Sequence, residues 1–405
     1  MKVLPIDLLI FCFLPFLDGV NSINYAIYHY EAHKELLDLK YVSKIDCEFT
    51  DDYVEFLVEC AKQGVYHEIR DEYNGTPLHF ARTADQVRVL IEAGANVNAR
   101  NNNGYTPLHF AETAEQTRVL IEAGAGADVN SVDRGDTPLH FAKTADQTRV
   151  LIEAGANVNA VDEDGYTPLH RAETAEQTEA LIEAGANVNA LDHGGNIPLH
   201  YAKNTEQTRV LIEAGADVNS VDYDSDYTPL HEAKTAEQTR ALIEAGANVN
   251  AVDRWGKTPL HRAYTAEQTE ALIEAGADLN AENNNGCTPL HEVKTAEQTR
   301  VLIEAGANVN SVNRRGRTPI YDAKTAEQTS LLIEAGANVN SVDEDGYTPL
   351  HLAETTEQTR VLIEAGANVN AVNRWGNTPI DYSYTAEKTR VLIEAGADVN
   401  PQTTE

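Results

Sequence analysis

The sequence predicts an all-α chain, a solenoid of stacked helix-turn-helix units with β-turn fingers between them. Three observations carry that prediction. T-P-L-H or a close variant recurs at 76, 106, 137, 167, 197, 228, 258, 288, 318, 348 and 378, a step of 30 residues twice stretched to 31. Each of these eleven units also holds L-I-E-A-G-A, first at Leu90 and last at Leu392, followed by N-V-N, D-V-N or D-L-N. Finally, within a unit the start and stop signals leave room for two short helices and a polar loop.

The unit from Asp164, "DGYTPLHRAETAEQTEALIEAGANVNAV", shows the elements in order. Thr167 followed by Pro168 is an N-cap with Pro at the first helical position, where the missing N–H costs nothing and the fixed φ helps. The first helix should run through Leu169, His170 and Ala172 and stop within about two turns. Thr174-Ala175-Glu176-Gln177 fits the capping box, so Thr174 can accept from the Gln177 N–H while the Gln side chain reaches back. The second helix then presents Ala180, Leu181, Ile182 and Ala184 as its apolar face and ends at Gly185, a residue suited to the left-handed C-cap. "ANVNALDHGGN" follows, rich in Asn, Asp and Gly, and predicts a tight turn projecting between units.

Both helices fall below the ~12 to 15 residues at which isolated helices become marginal in water, so stability must come from stacking. Burial between neighbours, at roughly 25 cal/mol per Å², has to supply the ordering free energy. The expected body is elongated and slightly curved, on the order of 100 Å long for helices roughly 10 Å apart. A tandem array is one quasi-linear domain, so the 405 residues do not count out into several globular ones.

T-P-L-H-x-A, a second helix ending L-I-E-A-G-A, then N/D-V-N and D-x-x-G before the next T-P-L-H, resembles the ankyrin repeat. The resemblance covers about 76 to 400. The usual ankyrin unit has 33 residues with a Gly-His type turn between its helices; here three residues and that turn are missing and "TAEQ" stands in their place. Family curvature is therefore not carried over. Compact, Thr-capped units of this kind resemble ankyrin proteins of obligate intracellular bacteria. The resemblance implies that His79, His109, His140, His170, His200, His231, His261, His291 and His351, fourth in T-P-L-H, belong to a hydrogen-bond network between units. It also implies a protein-binding groove on the concave face.

Outside the array the organisation is less regular. "EAGAGADVN" at Gly124 to Asn130 and "VDYDSDYTPL" around Ser225 carry insertions in loop segments. Residues 23–75 read as an N-terminal helical cap, with Thr50, a Tyr53, Phe56, Leu57, Cys60 face and Gly64 echoing a second helix. Residues 401–405 form a short tail, and Lys388 and Tyr384 make the outer face of the last unit slightly more polar. Residues 1–22 place Lys2 before an apolar run from Leu8 to Leu17 and a small-residue site at Val20-Asn21-Ser22, which reads as an export signal. A buried capping segment, a membrane-associated anchor or a mis-set start codon are the alternatives. The run is shorter than the ~20 residues of a membrane span. The expected location is secreted or exported, with the cytoplasm as the alternative.

The formal net charge of -33 argues against nucleic acid or anionic lipid as a partner, since both bind through surplus Lys and Arg. No catalytic, metal or cofactor motif emerges. "HEAKT" at 231 and "HEVKT" at 291 lack the second His of a zinc pair, and "DEDG" at 162 and 343 lacks the Glu of a calcium loop. The four cysteines show no metal spacing, and Cys287 is a single thiol on a turn.

What varies between units marks where individual surfaces differ. The finger tips include Arg254-Trp255, Arg314-Arg315 and Arg374-Trp375, with Arg317 nearby; Trp255 and Trp375 are the only tryptophans and occupy one register. Trp and Arg are enriched at interface hot spots, so these tips read as protein-binding anchors on an acidic body. The competing reading is a local cation–π pair with no partner. After T-P-L-H, Phe80, Phe110 and Phe141 form a second apolar strip that could equally be core. The expectation is a monomeric, non-enzymatic protein-interaction scaffold, plausibly an exported effector. A structural spacer or surface protein is the second reading, and an accessory module docking through 23–75 the third.

Overall fold

A computed structural model describes Val54, Val58, Ala61 and residues 70–123 and 127–399. The residues read as an export signal, those of the tail and the Tyr53, Phe56, Leu57, Cys60 face all lie outside the described residues. Of the cap region before residue 70, Val54, Val58 and Ala61 are helical and buried, at i, i+4 and i+7. The chain divides into two compact units, residues 1–193 and 194–405, each built the same way.

Among the described residues the fold is all-α apart from isolated bridge residues, Arg70 and the pair Asp133 and Asp136. Each repeat pairs a single helical turn with a nine-residue α-helix, as in Pro229–Glu232 with Ala236–Glu244 and Pro289–Glu292 with Ala296–Glu304. The first helix is thus one turn, shorter than the two expected, and in the 167 repeat Pro168 to Arg171 form only turns. Ala172 lies beyond it. The compression follows from the lost inter-helix residues: the chain must reverse at once to begin the second helix, whose N-cap lies only a few residues further on.

The core is two leucines per repeat. In residues 194–405 these include Leu230 with Leu242, Leu260 with Leu272 and Leu290 with Leu302, each at most 4% exposed, while Ile320 takes the first place in the 318 repeat. Ile182 and its counterparts are only half-buried, so the buried face of the second helix is narrower than its apolar sequence suggests. Polar Gln and Thr complete it. Thr178 is buried and its hydroxyl donates back to the Thr174 carbonyl at 2.9 Å.

Three polar side chains per repeat clamp one unit to another. The Gln of the capping box does more than cap: Gln268 Oε1 accepts from the Tyr264 N–H at 2.9 Å while Nε2 donates to the Ala233 carbonyl of the preceding repeat at 2.9 Å. The last Asn of N-V-N is equally bidentate. Asn250 donates from Nδ2 to the Gly276 carbonyl and accepts from the Asp278 N–H at Oδ1. The T-P-L-H histidine is the third clamp. Because a backbone N–H can only donate, Thr258 N–H to His261 Nδ1 at 3.1 Å puts the imidazole proton on Nε2, which donates to the Cys287 carbonyl at 3.0 Å. His79, His140, His200, His231, His291 and His351 repeat that bond at 3.0–3.2 Å. Thr therefore caps through histidine rather than through a direct backbone bond.

The departures obey the same logic. Tyr321 replaces His and keeps the donor half, its hydroxyl bonding the Tyr347 carbonyl at 2.9 Å. In the last repeat Asp381 keeps the acceptor half, taking the Thr378 N–H at 2.7 Å. Lys388 stands where Gln stands elsewhere and is 5% exposed, with Nζ donating to the Ala353 carbonyl at 2.6 Å. It does not make the outer face polar, as the sequence suggested; it is the inter-repeat clamp, and burial lowers its pKa. Tyr384 is 89% exposed.

The inserted residues near 124 are offset by a shorter finger that the sequence reading missed. There Asp133 to Asp136 close a tight turn with φ of 49° at Arg134 and 84° at Gly135, both in the left-handed region that a two-residue primed turn requires.

Candidate protein-interaction surface

Each finger from Asp222 onward is held by an Asx turn and by the finger before it. Asp253 Oδ1 accepts from the Trp255 and Lys257 N–H groups, both at 2.8 Å, and Asn373 does the same for Trp375 and Asn377 at 3.0 Å. Backbone bonds then link neighbours: Arg254 N–H to the Ser225 carbonyl, Asn284 to Trp255, Arg314 to Asn285, Glu344 to Arg315 and Arg374 to Asp345, all 2.8–3.0 Å. The tips of residues 194–405 are consequently a bonded row rather than independent loops.

Trp255 and Trp375 sit on this row 46% and 57% exposed. Each leans on the tyrosine of the preceding repeat, with ring centroids 5.8 Å apart for Tyr227–Trp255 and 5.6 Å for Tyr347–Trp375. The arginines beside them differ. Arg374 lies 5.2 Å from the Trp375 ring and pairs with Asp345 at 2.5 Å. Arg254 instead donates to the Tyr223 carbonyl at 2.8 Å. Arg317 is ion-paired with Asp343 at 3.0 Å and lies over Tyr321. Arg314 and Arg315 are exposed, and no ion pair engages either among the described residues. The predicted basic strip thus contains both internally committed and available cations.

In residues 1–193, Phe80 and Phe141 are half-buried and Phe110 is 41% exposed. Phe110 packs edge-on against His79 at 5.7 Å, and Phe141 against Tyr105 at 5.4 Å and His109 at 5.9 Å. The strip is an aromatic ladder between repeats with one edge in solvent, intermediate between the two expectations.

The nine histidines are scaffold in geometry. Burial lowers the pKa of His79 and His109 to about 4, and lowers those of His140, His200, His231, His261, His291 and His351 as well. Where both nitrogens are committed, as at His261, a neutral ring has nothing left for acid–base work. His170 shares the Thr167 contact; at His109 the Nε2 atom is buried without an acceptor, beside the shortened 133–136 finger. Among the described residues no group of three or more His, Cys, Asp or Glu could hold a metal, and no helix is long and apolar enough to cross a membrane.

Sequence reasoning missed two features. One is a row of aliphatic residues just before the tips, Val252, Val312, Val342 and Val372, 57–61% exposed. Their single apolar place between Ala or Ser and Asp or Asn was the available signal. The other is a cavity of about 410 Å³ lined by Tyr227, Trp255, Lys257, Arg262, Asn283, Asn284 and Asn285. Arg262 was visible only as one variable residue after T-P-L-H, and nothing in the sequence places it beside Trp255.

A model of ankyrin repeats in three copies matches residues 39–133, 112–192, 146–222, 203–282, 234–313 and 323–403, most of the chain. No curated protein matches it. Among solved structures, the human ASB11 ankyrin repeat domain is 26% identical, with a TM-score of 0.44 over 51% of this chain and 100% of its own. The ankyrin repeat domain of Bcl-3, a member of the IkappaB family, is 27% identical, with a TM-score of 0.39 over 56% of this chain and 98% of its own.

Proposed function

The chain belongs to the ankyrin-repeat family, and from that premise we propose that it is a non-enzymatic scaffold whose finger tips in residues 194–405 bind a protein partner. Ankyrin repeats in general mediate protein–protein interaction. The observation that carries the finer reading is the pair of tryptophans at one register, about half exposed and each braced on a tyrosine. A ring held from behind loses little conformational entropy on binding, which is what an anchor residue needs. The row after T-P-L-H, including Phe80, Phe110 and Phe141, supplies a second partly apolar face in residues 1–193.

Affinity capture with the full chain, beside a Trp255→Ala/Trp375→Ala chain of unchanged circular dichroism, tests the reading. A protein retained by the first and lost from the second, then shown to bind the purified chain by calorimetry, supports it. Equal retention by both, or none by either, favours the spacer. Export is part of the same proposal, supported by Lys2 and the Leu8 to Leu17 run. Protein recovered outside its cell should begin near Ser22, and intact Met1 on cell-retained protein only would end that part.

A further inference from the structure

The geometry points to the Trp255 cavity as a carboxylate-binding site that takes an acidic peptide segment of a protein partner, an assignment that rests on the scaffold reading and gives it a chemistry. In the 162 finger, Asp162 is paired with Arg171, nine residues on. Asp253 and Arg262 occupy the same two places, yet no ion pair joins them. Arg262 lies instead over the Tyr227 ring at 4.1 Å, and its Nη1 donates to the Tyr227 hydroxyl at 2.5 Å. That choice leaves Arg262 Nε buried with no acceptor. No hydrogen bond engages Nη2 among the described residues either, so the Nε–Nη2 edge, the side that grips a carboxylate with two parallel bonds, lacks a partner, and a ligand carboxylate reaches the buried Nε with a shift of the side chain.

The surroundings fit an acidic segment. Trp255 and Tyr227 give flat walls, and Asn284 and Asn285 add amide groups beside the cavity. Arg254 stands on the same finger as Trp255, while Arg314 is bonded through its backbone to Asn285 and Arg315 follows it. Against these stand Asp253, whose Oδ1 is used by the turn while its Oδ2 is buried without a partner, Glu232 near Tyr227, and Glu292, already paired with Lys257 at 2.7 Å. On a chain of net charge -33 such a cationic locality selects for acid and confines it to one place. The Trp375 finger lacks the same offer. Tyr382 replaces the arginine, and its hydroxyl is bonded to Tyr347, Asn373 and Asn377 at 3.0–3.2 Å. The near-identical tips are therefore unlike sites, and only the first takes the carboxylate.

Fluorescence anisotropy of a labelled (Gly-Glu)4 peptide with the full chain is the test, with (Gly-Gln)4 and inorganic phosphate beside it. Saturable binding of the Glu peptide alone is expected. It should weaken about tenfold or more in Arg262→Gln and in Arg262→Lys, which keeps the charge but not the fork. Arg390→Gln, which removes a charge from an exposed helix surface, should leave it unchanged. Absence of binding, equal binding of (Gly-Gln)4, or an Arg262→Gln chain of unchanged melting temperature that binds as well overturns the proposal. Phosphate matching the peptide's affinity overturns it in favour of a free-anion site. Partner capture that survives these negatives and still needs the tryptophans leaves the scaffold reading standing. Capture indifferent to the tryptophans removes that reading itself.

Discussion

Lowering the pH from 7.5 to 5 should loosen the repeats around His79 and His109. In the fold each ring accepts a threonine N–H at Nδ1, at 3.0 Å and 3.1 Å respectively. Protonation would set a donor against that donor. Burial is the largest cause of the depressed pKa, about 4 against an ordinary 6.5, and Arg70 beside His79 and Arg100 beside His109 push the same way. With the folded value below the unfolded one, the stabilisation is fully present above 6.5, falls as pH drops from 6.5 towards 4, and levels off below. At pH 5 the unfolded ring is almost wholly protonated and the folded ring almost wholly neutral. The shift is then about thirtyfold in the local opening equilibrium, or about 2 kcal/mol for each histidine. Hydrogen exchange read by mass spectrometry on the helices Ala84–Glu92 and Ala114–Glu122 reports this locally, where a single unfolding free energy would be ill-defined for a repeat array. Protection factors, corrected for intrinsic rates, should fall by roughly that factor. Equal protection at both pH values, or ring protons titrating near 6.5 by NMR, would refute the reasoning.

Other consequences follow from the clamps and turns. Gln268→Ala should cost about 1–3 kcal/mol in the local opening free energy of the helix Ala266–Glu274, read by hydrogen exchange, because it strands the Ala233 carbonyl and the Tyr264 N–H; a loss below about 0.3 kcal/mol would deny the clamp. Tyr321→Phe should cost about 1–2 kcal/mol through the lost bonds to Ser341 and Tyr347. Since burial pushes that phenol up to about 12, the wild-type bond should survive to pH 10. Gly155→Ala and Gly135→Ala separate strain from collision. Both glycines have φ near +85°, but a Cβ at 155 meets nothing within 4 Å, whereas at 135 it comes within 2.5 Å of the Val161 carbonyl oxygen. Local hydrogen exchange should show a loss of about 1–2 kcal/mol for the first and clearly more for the second.

Much of this protein is local, and local structure is legible from sequence. The Thr and Pro starts, the capping-box Gln, the Gly stops with φ near +90° and the two-leucine core all follow from chemistry within a few residues of one chain segment. Repetition then guarantees neighbours, so stacking was legible too. What the sequence alone did not decide is where the second half of each polar side chain goes. Gln268 looks like a cap until Ala233 is seen beside it, and Lys388 looks like surface until it reaches Ala353. Those partners lie about 35 positions away and belong to another repeat. The same reason separates the two RWG tips. Their own residues are nearly identical, but seven residues on Arg262 stands in one repeat where Tyr382 stands in the other, and the first lies over Tyr227 while the second bonds Tyr347. The sequence shows the guanidinium at one place and the phenol at the other; only tertiary packing brings each to the tyrosine of the preceding repeat, and so decides which donor edge is left over.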